Sequence, residues 1–335
     1  MSHDVKLWRS GVIFSVAGFV GGLGNFAFQG IISRHMYQQK AEWGYVSSTL
    51  IFINFLSLPL SIVGWSLVHY IAHFRAANDD ARLQGLLSGA PKFLLKATAA
   101  GSLLAIALAG PLSRFFNFPR SSLMLVALVC VLVGLWSGFA TLLCQGMAWF
   151  KRMALVGLAA VGMRLLFGWV MTARYPTAEV AVSATTFSLF TNLLLLYWWK
   201  DLFKKGEQIS PWNREFGRYL MVAAAFVGGM FFFTGDQLVA QRYFPDKVMD
   251  SYTAAGLLSR ALAGVVAPLL MVLFTSRSGH KSGPALSDQR ILLALYAVGL
   301  AGGALGLLVF KDFFLKLLDK YSPESSAMID RKSVV

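Results

Sequence analysis

Three charged side chains fall inside long apolar stretches of the sequence, where a charge is costly unless it binds something. Arg164 lies near the middle of one stretch, Arg260 lies in the first half of another, and Asp236 lies near the end of a third. A guanidinium can bind phosphate oxygens through two parallel hydrogen bonds. A buried carboxylate can pair with an arginine or carry a proton. We therefore expect both arginines to line a substrate cavity and Asp236 to serve in ion coupling or a charge pair.

A structural interpretation of the same charges stays open. Asp236 could form a structural ion pair with Arg260 or Arg164 that locks helices together, or the arginines could snorkel towards the membrane interface. Snorkelling is hard for Arg164, because it lies so far from either end of its stretch. Arg34 follows the first apolar stretch, where it could line the mouth of a cavity or anchor lipid headgroups.

Uncharged polar residues add a second signal in the first apolar stretch. Ser15, Gly18, Gly22, Asn25 and Gln29 recur at helical spacing and predict one small, polar face. Small residues also allow close helix packing in lipid, which is the alternative explanation. We place the amides of Asn25 and Gln29 on the cavity wall.

Nine apolar stretches surround these residues, each near the roughly 20 residues that a helix needs to cross the bilayer. They are Gly11–Ile32, Tyr45–Tyr70, Phe93–Gly110, Leu123–Cys144, Met153–Ala173, Val180–Trp199, Tyr219–Ala240, Tyr252–Phe274 and Ile291–Phe310. The composition agrees, with 56% hydrophobic and 14% charged residues. The sequence predicts an all-α integral membrane protein of about nine transmembrane helices, with helix kinks at Pro59 and Pro268.

Basic residues predict the orientation of these helices. Sixteen Lys and Arg residues flank the spans on the side of the N-terminus, and seven lie on the other side. The positive-inside rule therefore places the N-terminus in the cytoplasm of a multi-pass protein of the cell inner membrane. The connection at 77–92 has room for a loop on the same side.

The spans divide into two groups. Residues 1–199 predict an N-terminal bundle of six helices, 200–218 a basic cytoplasmic linker, and 219–335 a partial C-terminal bundle of three helices that reads as truncated. Asn25, Tyr45 and Pro59 have counterparts in Asp236, Tyr252 and Pro268, six spans later. Such a spacing predicts a parallel repeat, related by a pseudo-two-fold axis along the membrane normal.

Other functional classes find little support in the sequence. The net charge of +14 comes mostly from residues in short loops, where topology and anionic lipid explain it, so we expect no nucleic-acid partner. The five histidines show no metal-ligand spacing, and we expect no metal or other cofactor. No enzymatic activity is expected. Cys130 and Cys144 lie too far apart on one predicted helix to pair, and we expect them to be packing residues.

Three groups of residues carry a resemblance to a known family. They are Gly24-Asn25-Phe26 to Ser33-Arg34 with Glu42-Trp43-Gly44-Tyr45; Leu142-Leu143-Cys144-Gln145-Gly146 with Trp149-Phe150; and Thr234-Gly235-Asp236 with Tyr243-Phe244-Pro245, Asp250-Ser251-Tyr252-Thr253-Ala254-Ala255 and Arg260. The chain resembles, over about residues 8–325, the polysaccharide-biosynthesis (O-antigen) flippases of the multidrug/oligosaccharidyl-lipid/polysaccharide exporter (MOP) superfamily.

The resemblance implies a flippase that moves a polyprenyl-pyrophosphate-linked oligosaccharide across the cytoplasmic membrane by alternating access. Membrane lipids, a polysaccharide polymerase and glycosyltransferases are the further partners that it implies. Members of the family usually have 12 to 14 spans. Two alternatives stay open: a cation-coupled multidrug exporter of the same superfamily, and an integral membrane enzyme of envelope polysaccharide synthesis.

The basic-residue distribution makes a testable prediction about topology. A cysteine replacing Lys204 should be shielded from an impermeant thiol reagent in intact cells, because it lies in a cytoplasmic segment. A cysteine replacing Pro245 should react. Equal labelling of the two positions would contradict the orientation.

Overall fold

The computed structural model describes residues 3–36, 42–115, 118, 120–197, 239–240, 242–243 and 252. All regular secondary structure in the described ranges up to residue 197 is α-helical. Six helices follow one another: α1 (His3–His35), α2 (Glu42–Ala76), α3 (Asp80–Phe115), α4 (Ser121–Gly146), α5 (Phe150–Arg174) and α6 (Ala178–Tyr197). They coincide with the first six predicted spans and confirm the all-α class. The spans predicted beyond Trp199, the linker and the internal repeat lie outside these helices and stay predictions.

The connection between α2 and α3 is shorter than the loop expected over 77–92. Only residues 77–79 separate the helices, and Asn78 adopts a left-handed conformation with φ 54°. The carboxylate of Asp79 accepts a hydrogen bond from the Arg82 amide at 3.1 Å and caps the start of α3. The expected loop was wrong because a polar segment can still be helical when one of its faces is apolar.

Helix packing arranges the six helices as a bundle of alternating direction. α1 packs against α5, α5 against α6, α6 against α4, and α4 against both α2 and α3. α1 and α5 run in parallel, since His35 near the end of α1 hydrogen-bonds Thr172 near the end of α5. α2, α4 and α6 all begin at that same end of the bundle, as the contacts described next show.

Ionic contacts join the starts of these three helices. Arg120 forms ion pairs with Glu42 at the start of α2 and with Glu179 in the first turn of α6. Glu42 also accepts a hydrogen bond from the backbone amide of Ala178 at 2.7 Å, and Glu179 accepts one from the hydroxyl of Ser122 at 2.8 Å. Two carboxylates at helix N-termini also interact favourably with the helix dipoles. The network fixes one end of the bundle.

Two apolar clusters fill the interior at opposite ends. The cluster near the ionic network is built around Phe28, Trp43, Phe52 and Leu123, and it includes Cys130. The other is built around Leu67, Ile71, Leu143 and Phe150, and it includes Cys144. Both cysteines are fully buried thiols, which confirms their expected role in packing.

Close contacts between helices depend on individual glycines. A methyl group added at Gly24 of α1 would overlap Val161 of α5, and one added at Gly168 of α5 would lie 2.5 Å from the Phe28 ring. Gly22, which belongs to the small face predicted on α1, has open space around it. The packed side of α1 is therefore displaced from the predicted stripe, because Gly21 and Gly24 face α5 instead.

Several described helices are long and apolar enough to cross a membrane. They are Val16–His35, α4, α5 and α6, and α3 joins them as a span bent by 56° between Leu103 and Ile106. Large apolar side chains such as Leu155 and Trp169 are exposed on the outside of the bundle, as lipid-facing positions require. The chain is a multi-pass membrane protein.

The contact between Gly168 and Phe28 gives a prediction about stability. Gly168→Ala should destabilise the purified protein by about 1–3 kcal/mol, because the fully buried Phe28 ring must shift. Gly157→Ala, on the same helix with open space around it, is the matched control. It should leave stability unchanged or raise it by up to about 1 kcal/mol. Thermal unfolding in detergent measures both, and equal melting temperatures would contradict the α1–α5 contact.

Candidate functional site

Arg164 projects from the middle of α5 towards α1 and is half-buried. Its Nη1 donates a hydrogen bond to Oδ1 of Asn25 at 2.7 Å. Its guanidinium carbon lies 4.2 Å from the centroid of the Phe28 ring, in cation–π geometry. The structure thus brings together two of the predicted cavity residues, Arg164 and Asn25.

The charge of Arg164 has no counter-charge within the described part of the chain. Its Nε is buried and has no hydrogen-bond partner there, and no described carboxylate pairs with it. Removing a charge from water is costly when no counter-charge accompanies it, and an amide oxygen and an aromatic ring compensate for only part of that cost. The site therefore retains one buried donor without a partner, and one positive charge without a counter-charge in the described part of the chain.

Local sequence explains why the guanidinium is held in place. Asn25 and Phe28 are three residues apart on α1, so they face the same neighbouring helix. Gly24 lets α1 approach α5 closely at this level, where Val161 fills the space next to it. The short distance between the two helices places Asn25 within reach of Arg164.

The other predicted residues of the first helix are engaged differently. Gln29 is buried and accepts a hydrogen bond from the Trp43 indole at 3.1 Å, which joins α1 to α2. Arg34 is exposed in the last turn of α1, beside His35 and its bond to Thr172. The cavity-lining role of either residue stays a prediction.

The remaining predicted positions add little to this geometry. Pro59 lies within α2, and the kink expected there stays a prediction. Arg260, Asp236 and Pro268 lie outside the described residues. The proposed charge pair between Arg260 and Asp236 is thus untested.

Several polar residues that sequence reasoning passed over meet between α4 and α6. Asn192 donates to the Ser137 hydroxyl at 2.7 Å, and its amide lies 3.4 Å from the Thr141 hydroxyl. On the neighbouring turn, Ser188 donates to the carbonyl of Ala160 on α5 at 2.7 Å. The signal was present in the sequence, because Ser137 and Thr141 are one turn apart in an otherwise apolar span. Phe28 was also missed, although it follows Asn25 by three residues.

No protein-family model matches the chain, and no curated protein sequence does. Solved structures match over nearly its whole length. A MOP superfamily transporter of Pyrococcus furiosus, described as having a binding pocket of reverse polarity that suggests a different function, superposes with a TM-score of 0.67 at 15% identity, over 99% of this chain and 79% of that one.

Two further structures show the same likeness. A MATE transporter of Vibrio cholerae in its bent form matches with a TM-score of 0.65 at 13% identity, over 99% of this chain and 80% of its own. A MATE family transporter of the MOP superfamily in an outward-facing conformation matches with a TM-score of 0.65 at 15% identity, over 99% and 79%. The chain therefore has the fold of MATE transporters of the MOP superfamily. The flippase family within that superfamily stays a prediction.

Proposed function

We propose that the protein is an alternating-access exporter of amphipathic organic molecules, a multidrug exporter of the MOP superfamily whose substrates carry a negative charge. The fold supports the transport function, since the structures it resembles are MATE transporters. Arg164 is the observation that supports the charge of the substrate. The function does not require covalent chemistry from the protein.

The surroundings of Arg164 favour an anion over a cation. A positive substrate group at about 4 Å from the guanidinium would be repelled by about 4 kcal/mol at an effective dielectric constant near 20. A carboxylate, sulfonate or phosphate at the same distance would be attracted by a similar amount and could accept hydrogen bonds from the terminal nitrogens of the guanidinium. Arg164 would thus select anionic substrates, and a bound anion would supply the counter-charge that this residue lacks in the described part of the chain.

Neighbouring residues would supply the apolar part of the site. The Phe28 ring covers one face of the guanidinium, and Asn25 fixes one of its nitrogen atoms. A ligand with an anionic group next to an apolar or aromatic body would match this arrangement. We propose separately that the inward movement of a cation drives export, with a carboxylate such as Asp236 binding that cation.

Transport assays with dyes of opposite charge test the proposal. In an efflux-deficient bacterial strain, the protein should lower accumulation of an anionic fluorescein derivative more than that of cationic ethidium. Arg164→Ala should reduce anionic dye efflux by about tenfold or more, because a charge-assisted hydrogen bond contributes about 1.5–3 kcal/mol. Arg164→Lys should restore part of it.

A matched control comes from the same helix. Arg174→Ala removes an exposed arginine at the end of α5 and should leave efflux and protein abundance unchanged. The proposal is wrong if Arg164→Ala exports the anionic dye at the wild-type rate while protein abundance is normal.

A second candidate is the lipid-linked oligosaccharide flippase, favoured by one specific observation. The guanidinium of Arg164, which has no counter-charge in the described part of the chain, would also suit a pyrophosphate. The motifs around Asn25 and Gln145 resemble that family. On this reading the partners are a polymerase and glycosyltransferases. Complementation of a flippase-deficient strain without dye efflux would favour this candidate, and dye efflux without complementation would favour the exporter.

A further inference from the structure

The first half of α3 is strongly amphipathic. Leu83, Leu86, Leu87 and Leu94 are buried on one face, against the apolar cluster around Leu67, Ile71 and Phe150. The opposite face is exposed, and none of the described helices packs against it as a principal neighbour. α3 packs only on α2 and α4 among its principal neighbours in the described part of the chain.

Two lysines begin an exposed stripe on that opposite face. Lys92, Lys96 and Leu103 follow one another at helical spacing, so they lie on the same side of α3 before its bend. Ile106 follows directly after the bend and is exposed as well. Both lysines are exposed, and the two apolar side chains are 72% and 62% exposed. The stripe therefore changes from cationic to apolar along the helix axis.

The position of the lysines coincides with the boundary of the predicted span Phe93–Gly110. Lys92 immediately precedes the span, and Lys96 lies one turn inside it. Helical side chains lean towards the helix N-terminus, which here is the aqueous end. The Lys96 ammonium can thus snorkel back to the level of Lys92.

Nothing in the described residues neutralises this pair of charges. Neither lysine takes part in a described ion pair, whereas Arg82 nearby is paired with Asp79 at 3.4 Å. Two like charges one turn apart repel each other on a helix. An anion between them would remove the repulsion.

We propose that Lys92 and Lys96 bind the headgroup of an anionic phospholipid, whose acyl chains lie along Leu103 and Ile106. The leaflet is the one on the side of the α2–α3 turn, which the charge distribution predicts to be cytoplasmic. A phosphate ester provides the negative charge that two ammonium groups match. The exposed apolar side chains that follow the lysines favour a lipid over a soluble anion, because a soluble anion has no acyl chains to contact them.

Lipid-dependent stabilisation tests the proposal. The full chain is purified in a neutral detergent, and its melting temperature is measured with added phosphatidylglycerol, phosphatidylcholine or glycerol phosphate. We expect phosphatidylglycerol to raise the melting temperature more than phosphatidylcholine does, and the added shift to fall at high salt. The double variant Lys92→Gln/Lys96→Gln should lose the difference between the two lipids.

Arg114→Gln is the matched control, since it removes an exposed charge at the opposite end of the same helix. It should keep the full difference between the two lipids. A difference retained by the double variant would overturn the proposal, and so would equal shifts from both lipids in the wild-type protein. An equal shift from glycerol phosphate would assign the site to a soluble anion and also overturn it. If the double variant does not accumulate, native mass spectrometry of retained lipids on each single variant decides between the same outcomes.

Discussion

The charge of Arg164, which has no counter-charge in the described part of the chain, is the constraint on which the proposed function depends. A guanidinium in the interior of a membrane protein is tolerated when hydrogen bonds, an aromatic face or a ligand replaces its water. Here Asn25 and Phe28 supply the first two, and Nε remains without a partner in the described part of the chain. The close contact of α1 with α5 is what brings these groups together.

The rest of the bundle has an ionic network at one end, an apolar cluster at the other and further polar contacts between them. Arg120 with Glu42 and Glu179 ties three helix starts together at one end, and an apolar cluster around Ile71 and Leu143 fills the other. Between them lie Arg164 and the hydrogen bonds of Asn192. The polar contacts of the described helices thus lie at one end of the bundle and in its middle.

The sequence predicted the six described helices well because long apolar stretches have few alternative structures in a membrane. It also singled out Arg164 and Asn25, since a charge and an amide in such stretches are rare. The structure places these two residues in contact, and their role in a substrate cavity stays a prediction. It did not predict that Gln29 joins Trp43, or that Gly24 rather than Gly22 faces α5. Those contacts depend on the rotation of each helix about its axis, which packing decides and hydropathy does not. The sequence predicted a loop where α3 begins, because the leucines of its buried face are separated by polar residues and form no continuous apolar stretch.

The central claim is that Arg164 selects a negative charge, and a binding measurement tests it most directly. Two amphipathic ligands that share one scaffold and differ only in a carboxylate or its neutral amide are titrated onto the wild-type protein and onto Arg164→Gln in lipid nanodiscs. The account predicts that the wild-type protein prefers the carboxylate by about tenfold or more, as a charge-assisted hydrogen bond implies, and that Arg164→Gln binds both equally. The same preference in both proteins would contradict the account.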